Sequence, residues 1–218
     1  GTLIVVKTSL LKIPAMWTFA GPISLLCALA MATWRLSVAK QNWKTLGLMN
    51  DVNTLKLVLW TLAALVSTML IGNVVGSLAE QFLADPNIAN SELNRAMSGR
   101  FANLPGNVSV YLFWLITAWV IGGFTEELLF RGFMIQRFEK LYQQLPFAIG
   151  LAVVTQALIF GQQHYYYQGL AGVAAMCVIA IISGVIYVLA KRRLWPLIIS
   201  HGLANTIGLT MLLLSENS

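Results

Sequence analysis

The sequence predicts an all-α fold, a polytopic bundle of about six transmembrane helices. The chain is 58% hydrophobic and only 10% charged, whereas about 25% of the residues in ordinary globular domains are charged. Several intervals without Asp, Glu, Lys or Arg exceed the roughly 20 residues that cross a hydrocarbon core of about 30 Å. These intervals lack the alternating pattern of barrel strands, so helices are the only membrane-spanning structure that fits them.

The individual spans follow from these intervals in chain order. The interval 141–190 contains no Asp, Glu, Lys or Arg and is long enough for two helices, which we expect to be separated near 165–169. The six predicted spans are 13–34, 57–79, 101–125, the two within 141–190, and 194–215. We expect an N-terminal transmembrane region over 1–107, with two helices and an extracytoplasmic loop, and a core of four helices over 108–214.

Basic residues between the spans predict an orientation. They are concentrated between spans one and two, three and four, and five and six, and such loops face the cytoplasm. These residues are Arg35, Lys40, Lys44, Lys56, Arg131, Arg137, Lys140, Lys191, Arg192 and Arg193. Both termini then lie outside. Lys7 and Lys12 fit that side poorly, and either a missing N-terminal segment or an N-terminal helix that only lies on the membrane surface would explain them.

The net charge of +6 is spread over these loops rather than gathered into a basic stripe with interleaved aromatic residues. This distribution argues against nucleic acid as a partner and favours contact with anionic membrane lipids.

Polar side chains inside the apolar spans are candidates for a functional site, since an ionisable group at membrane depth is costly unless it is paired or faces a polar cavity. Glu127 and Arg131 have the i,i+4 spacing of an ion pair on one helix face, with the acid on the N-terminal side. Glu126 is turned about 100° away and has no partner in the sequence. An unpaired carboxylate in a poorly solvated site suits a general base.

Two further pairs share the i,i+4 spacing. Phe160 and His164 lie on one face, so that the aromatic ring can wall a site and hold the imidazole. His201 and Asn205 also share a face within the last span, beside Gly202 and Ala204. An amide and an imidazole directed at one point form a plausible oxyanion site.

The motifs Glu-Glu-x-x-x-Arg, Phe-x-x-x-His and His-x-x-x-Asn occur in this order at Glu126, Phe160 and His201. Together they resemble those of the CAAX protease and bacteriocin-processing (CPBP or Abi) family of intramembrane proteases, which includes the type II CAAX prenyl endopeptidases. The resemblance covers about 108–210, and residues 1–107 carry no family motif. A family core commonly has eight helices, two more than this sequence predicts.

The resemblance implies an endopeptidase that cuts a membrane-associated or prenylated protein in a bacterial cell membrane, or in the endoplasmic reticulum of a eukaryote. It makes 108–214 a CPBP-like catalytic core. Glu126 and His164 would activate a water molecule, and His201 and Asn205 would hold the oxyanion. Glu127, Arg131 and Phe160 would support them.

Alternatives remain at this point. Glu126, His164 and His201 form a two-His, one-Glu set that could bind catalytic zinc. We favour a mechanism without a cofactor, because the sequence has no His-Glu-x-x-His helix and a liganded Glu126 would leave no obvious base. A catalytically idle scaffold or bacteriocin-immunity protein that binds a membrane-protein partner is a second possibility. A transporter is a third, disfavoured by the absence of repeated halves.

The predicted spans also contain a conflict of depth. At 1.5 Å per residue, His164 lies about 27 Å along its helix from Pro146, whereas His201 lies only about 10 Å from Leu194. Straight helices that start at the same membrane face would not bring these imidazoles together. Either the fourth helix starts inside the membrane or is tilted, or the loop expected between Arg137 and Pro146 is misplaced.

Overall fold

The computed structural model describes residues 1–49 and 53–215, and this part of the chain consists of helices and turns. The helices are α1 Thr2–Leu10, α2 Trp17–Val38, α3 Thr54–Leu83, α4 Pro86–Ala89, α5 Glu92–Gly99, α6 Val108–Leu141, α7 Ala148–Gln162, α8 Tyr165–Leu189 and α9 Trp195–Leu214. Short 3₁₀ turns at Pro14–Met16 and Trp43–Leu46 lie in the connections.

Five of these helices, α2, α3, α6, α8 and α9, are long and apolar enough to cross a membrane, and α7 is a shorter apolar helix of 15 residues. The predicted all-α bundle of about six spans is therefore confirmed, and the chain is an integral, multi-pass membrane protein. The helices alternate in direction. One end of the bundle carries residues 39–49, 142–147 and 190–194, which we call the basic end, and the other carries residues 11–16, 84–107 and 163–164, the opposite end.

The boundaries of the third span were predicted wrongly. Helix α6 begins at Val108 and continues to Leu141, so Arg131, Arg137 and Lys140 lie on this helix and not in a loop. Arg131 is only 1% exposed and gives no information about orientation. The sequence pattern failed here because a charge that is paired inside the protein interrupts an apolar run just as a loop does.

The connection between the fourth and fifth spans also differs from the prediction. The chain turns at 163–164 rather than near 165–169, and α8 begins directly afterwards. Gly169 has φ +61° and ψ −157°, which places a kink inside α8. Only glycine adopts this conformation readily, because it lacks a Cβ.

The middle of α6 is wound more widely than an α-helix. Residues Ala118–Met134 form a π-helical segment of 17 residues. At its end the Ile135 N–H donates to the Phe130 carbonyl, five residues earlier, as expected for i→i+5 bonding. The angle of about 100° per residue used above for an α-helix therefore does not apply to Glu126. Such segments are frequent at functional sites.

Helices α6 and α9 are antiparallel and in close contact. The Trp119 indole N–H donates to Thr206 Oγ1 at 3.0 Å, and the Tyr111 and Thr210 hydroxyls are 3.1 Å apart. Gly202 allows this approach, because a Cβ on it would lie 2.5 Å from Trp119 Cε3. These contacts set the register that brings the functional residues of α9 to those of α6.

The start of α9 lies deep along α6. The Leu194 N–H donates to the Gly47 carbonyl at 3.0 Å, and a Cβ on Gly132 would lie 3.2 Å from Leu194 Cδ1. Helix α9 thus begins beside Gly132, nine residues before α6 ends at Leu141. The conflict of depth disappears, because α7 and α9 do not start at the same level and the loop expected from Arg137 was misplaced.

The N-terminal helix α1 packs along α2, with Leu3 and Lys7 both buried. The chain reverses through residues 11–16, where the Trp17 indole N–H donates to the Leu11 carbonyl at 2.9 Å. The expectation of a helix that only lies on a membrane surface is wrong. Instead, α1 contributes Lys7 to the interior.

Candidate active site

Helices α6 and α7 bring Glu126 to the level of His164. The rings of Phe130 and Phe160 meet edge to face with centroids 4.9 Å apart, and the Arg131 guanidinium lies 4.8 Å from the Phe160 centroid. The two helices run in opposite directions. Glu126, four residues before Phe130, and His164, four residues after Phe160, therefore lie at the same level. Phe160 is therefore a wall between the Arg131 side chain and the imidazole.

The turn after α7 determines the tautomer of His164. Its Nδ1 is 3.0 Å from the Phe160 carbonyl oxygen, which can only accept a hydrogen bond. Nδ1 therefore carries the proton, and Nε2 of the neutral ring keeps its lone pair. The Phe160 ring, with its centroid 5.1 Å from the imidazole, restricts the orientation of His164. The ring can thus accept a hydrogen bond from a water molecule through Nε2.

Glu127 is buried between an arginine and a histidine. Its Oε1 accepts a hydrogen bond from Arg131 Nη1 at 3.1 Å and lies 2.9 Å from His201 Nδ1. Glu127 and Arg131 are each 1% exposed. The predicted i,i+4 ion pair is confirmed, whereas the contact with His201 was not predicted because it joins two helices.

The second ring nitrogen of His201 and the amide of Asn205 flank Gly122 of α6. A Cβ on Gly122 would lie 2.8 Å from Asn205 Nδ2 and 3.5 Å from His201 Nε2. Asn205 Nδ2 also donates a long hydrogen bond of 3.4 Å to the Ala118 carbonyl. Sequence reasoning missed Gly122, although a Gly-Gly pair just before Glu126 in an apolar span signals close approach to the backbone.

Two adjoining cavities meet at these residues. The α1-side cavity, of about 420 Å³, is bounded by α1, α2, α5, α6, α9 and the turn between α7 and α8. The α3-side cavity, of about 550 Å³, extends towards α3 and α8. Both volumes are typical of ligand pockets. Glu126, Phe160, His164 and Asn205 line both cavities, and Glu127, Arg131 and His201 line the α3-side cavity. All seven residues singled out in the sequence therefore line the α3-side cavity.

Glu126 differs from Glu127 in its surroundings. It is partly exposed towards both cavities, and within the described residues its carboxylate has no hydrogen-bond or ion-pair partner. Glu127 is thus fixed by its partners, whereas Glu126 is free to interact with a ligand or a water molecule.

In residues 1–49 and 53–215, no three His, Cys, Asp or Glu side chains are grouped as metal ligands. Glu126, His164 and His201 line the same cavity without forming such a cluster. His201 Nδ1 is directed to Glu127, so only its Nε2 faces a prospective ligand. A zinc site built from these three side chains would require them to move closer together.

Comparison with known proteins identifies the segment that carries this site. Residues 108–207 match the family model of the Rce1-like proteins, type II CAAX prenyl endopeptidases. This segment is similar to the Rce1-like family. The match confirms the resemblance to the CAAX proteases over a little under half of the chain, and at the level of the family it indicates a membrane protease. No curated protein and no solved structure matched the chain.

Proposed function

We propose that the protein is an intramembrane endopeptidase that hydrolyses a peptide bond of a membrane-associated or prenylated protein or peptide. The observation that carries the proposal is the convergence of Glu126, His164, His201 and Asn205, from α6, the α7–α8 turn and α9, on one cavity. These side chains supply a free carboxylate, a ring nitrogen with a lone pair and two potential hydrogen-bond donors.

In this proposal a water molecule lies between Glu126 and His164 Nε2. Glu126 removes a proton as the water oxygen attacks the carbonyl carbon, and the proton later passes to the leaving amine. General acid–base catalysis of this kind typically contributes about 10²–10⁴-fold to the rate. The geometry suits these roles, because His164 Nδ1 is already engaged by the Phe160 carbonyl.

His201 and Asn205 would stabilise the tetrahedral oxyanion. Asn205 has a second amide N–H beyond the one directed at Ala118. His201 Nδ1 donates a hydrogen bond to Glu127, so its Nε2 is a donor only when the ring is an imidazolium. Glu127 is then the counter-ion of both His201 and Arg131. One oxyanion donor is typically worth about 3 kcal/mol of the activation barrier.

No step of the proposed mechanism uses a cofactor, and the expected partners are the lipids of the membrane and the peptide substrate. The same site would lie at one end of an apolar cavity, where a lipid-modified segment could be accommodated. Nucleic acid is not among the proposed partners.

The test is cleavage of a peptide library by the purified protein in nanodiscs, with the products identified by mass spectrometry. We expect cleavage by the wild type and its loss in Glu126→Gln, which removes the base but preserves the shape of the side chain. Glu92→Gln is the matched control, since Glu92 lies exposed at the start of α5 and should be fully active.

Unchanged cleavage in Glu126→Gln would remove Glu126 from its role. Absence of products from a folded wild-type protein, together with specific binding of a membrane-protein partner, would instead favour the scaffold or immunity function.

A further inference from the structure

The α3-side cavity continues into a smaller cavity of about 300 Å³ at the opposite end of the bundle. The two cavities share Tyr167, Gln168 and Met176, and together they form a groove along α3 and α8, which we call the α3–α8 groove. Helix α3 packs on α8 and lies outside residues 108–207, which match the Rce1-like family. The proposed mechanism uses none of the residues that α3 contributes to this groove.

Asn73 is a polar side chain within the apolar part of α3. The interval 57–79 contains no Asp, Glu, Lys or Arg, and Asn73 lies about 9 Å from its nearer end. The amide nitrogen of Asn73 donates to the Met69 carbonyl at 2.6 Å, but within the described part of the chain its Oδ1 has no hydrogen-bond partner. An unpaired amide oxygen is costly at membrane depth. The position of Asn73 on the α3-side cavity therefore indicates a hydrogen-bonding ligand there.

A close contact between α3 and α8 fixes the position of Asn73. Gly72 is buried, and a Cβ on it would lie 2.9 Å from Ile179 Cδ1. The two helices therefore approach each other one residue before Asn73. This contact holds Asn73 at the edge of the groove, in the cavity that also contains Glu126.

Gln168 supplies a second amide to the groove, one helical turn after His164. Its backbone N–H donates to the His164 carbonyl at 3.0 Å, and residues four apart share a helix face. Among residues 1–49 and 53–215 the Gln168 side chain has no hydrogen-bond partner, and Gly172 leaves room for it, because a Cβ there would collide with it. One turn is about 5.4 Å, slightly less than about two residues of an extended chain.

The chemistry of these two amides matches that of a peptide main chain. A side-chain amide offers both N–H donors and a carbonyl acceptor, and a peptide that enters the membrane must pair its own N–H and C=O groups. We propose that Asn73 and Gln168 bind the main chain of the substrate, which lies extended in the α3–α8 groove, within about three residues of the scissile bond. This inference rests on the proposed endopeptidase function. Binding of the main chain would hold the scissile bond beside Glu126 and His164.

The experiment uses depsipeptides, in which an ester oxygen replaces one main-chain N–H. A peptide chosen from the cleaved library members is compared with analogues that carry a single ester at one of the neighbouring peptide bonds, while the scissile bond stays an amide. For the wild type we expect kcat/KM to fall roughly 2- to 10-fold for at least one analogue, as the loss of one neutral hydrogen bond predicts. Asn73→Leu and Gln168→Leu should each slow cleavage of the all-amide peptide and abolish the further loss at one ester position.

Matched controls are available for both variants. Ser77→Leu changes an exposed polar residue one turn further along α3 that lines neither cavity of the groove, and Gln143→Leu changes an exposed glutamine at the basic end. Both should keep the wild-type ratios. Equal kcat/KM for the all-amide peptide and every ester analogue in the wild type would overturn the main-chain proposal while leaving the protease function intact. An ester effect that persists in both Asn73→Leu and Gln168→Leu would overturn it as well.

A binding arm separates this proposal from the catalytic one. A fluorescently labelled leucine-alanine hexapeptide and its single-ester analogues are titrated into Glu126→Gln protein in phosphatidylcholine nanodiscs. Weaker binding of one analogue, with the difference abolished by adding Asn73→Leu or Gln168→Leu, supports the main-chain site even if the wild type cleaves nothing. Equal binding of all forms, or no saturable binding, overturns it. Equal binding together with loss of a dimer in Asn73→Leu, detected by native mass spectrometry, would assign Asn73 to a contact between two copies of the chain.

Discussion

Replacement of Glu127 by Gln tests the buried charge cluster behind the site. The amide can still accept the hydrogen bonds of Arg131 and His201, but it removes the negative charge between them. Arg131 is 1% exposed and its Nη1 lies 3.1 Å from Glu127 Oε1, so the variant retains a buried cation without its counter-ion. Breaking a buried pair in this way typically costs about 3–5 kcal/mol.

At about 2–4 °C per kcal/mol for a chain of this size, the melting temperature should fall by roughly 6–20 °C. The assay is thermal unfolding of the purified variants in one detergent, monitored by circular dichroism. Glu139→Gln is the control, because Glu139 pairs with Arg192 at 2.7 Å but the side chains are 28% and 40% exposed. Such exposed pairs contribute about 0–1 kcal/mol, so this variant should melt close to the wild type.

A second change should restore part of the loss. Arg131→Met in the Glu127→Gln background removes the uncompensated cation, and replacing both members of a buried pair is often nearly neutral. The reasoning is refuted if Glu127→Gln melts like the wild type, or if Glu139→Gln is destabilised equally. Either result would mean that Glu127 and Arg131 are solvated and that the two neighbouring acids were sorted wrongly.

Two further predictions concern activity and one concerns stability. Gly122→Ala should lower kcat with little change in melting temperature, because its Cβ would lie 2.8 Å from Asn205 Nδ2; unchanged kinetics would remove Asn205 from the oxyanion site. Prolonged phenanthroline treatment should leave cleavage unaltered, whereas stoichiometric zinc in the same sample, with activity lost on its removal and restored on its return, would establish the zinc alternative. Burial lowers the pKa of Lys7 to about 8, against the opposite effect of Glu126, whereas a lysine in the unfolded chain titrates at about 10.4, so the melting temperature should rise as pH rises from about 8 to about 10. Lys7→Met should abolish that rise, and a rise that persists in this variant would assign it to another group.

The extent to which the sequence predicted the site depended on whether a contact lies within one helix. The pair Glu127–Arg131 could be predicted because i,i+4 spacing places two side chains together wherever the helix lies. The bond between His201 and Glu127 could not, since it depends on the register of α6 against α9. That register is set by contacts such as Trp119 with Thr206, which no local pattern reveals.

Depth and burial were also beyond local reasoning. Lys7 was counted with the charges outside the spans, on the side away from the cytoplasm; only the packing of α1 on α2 buries it against the Gln163 carbonyl. Arg131 was likewise assigned to a loop, although it lies inside α6. In both cases the sequence shows that a charged residue is present but not what it contacts. That contact determines whether the residue lies in a loop and indicates orientation, or lies inside the bundle at the site.

The central claim is that Glu126 and His164 act together on one water molecule, and a double-mutant cycle on kcat/KM tests it most directly. The variants are Glu126→Gln, His164→Asn and their combination, assayed on one peptide in nanodiscs. Residues that act as a unit show strongly non-additive losses, so the double variant should be no slower than the slower single variant. Losses that multiply, or a wild-type rate in Glu126→Gln, would contradict the account.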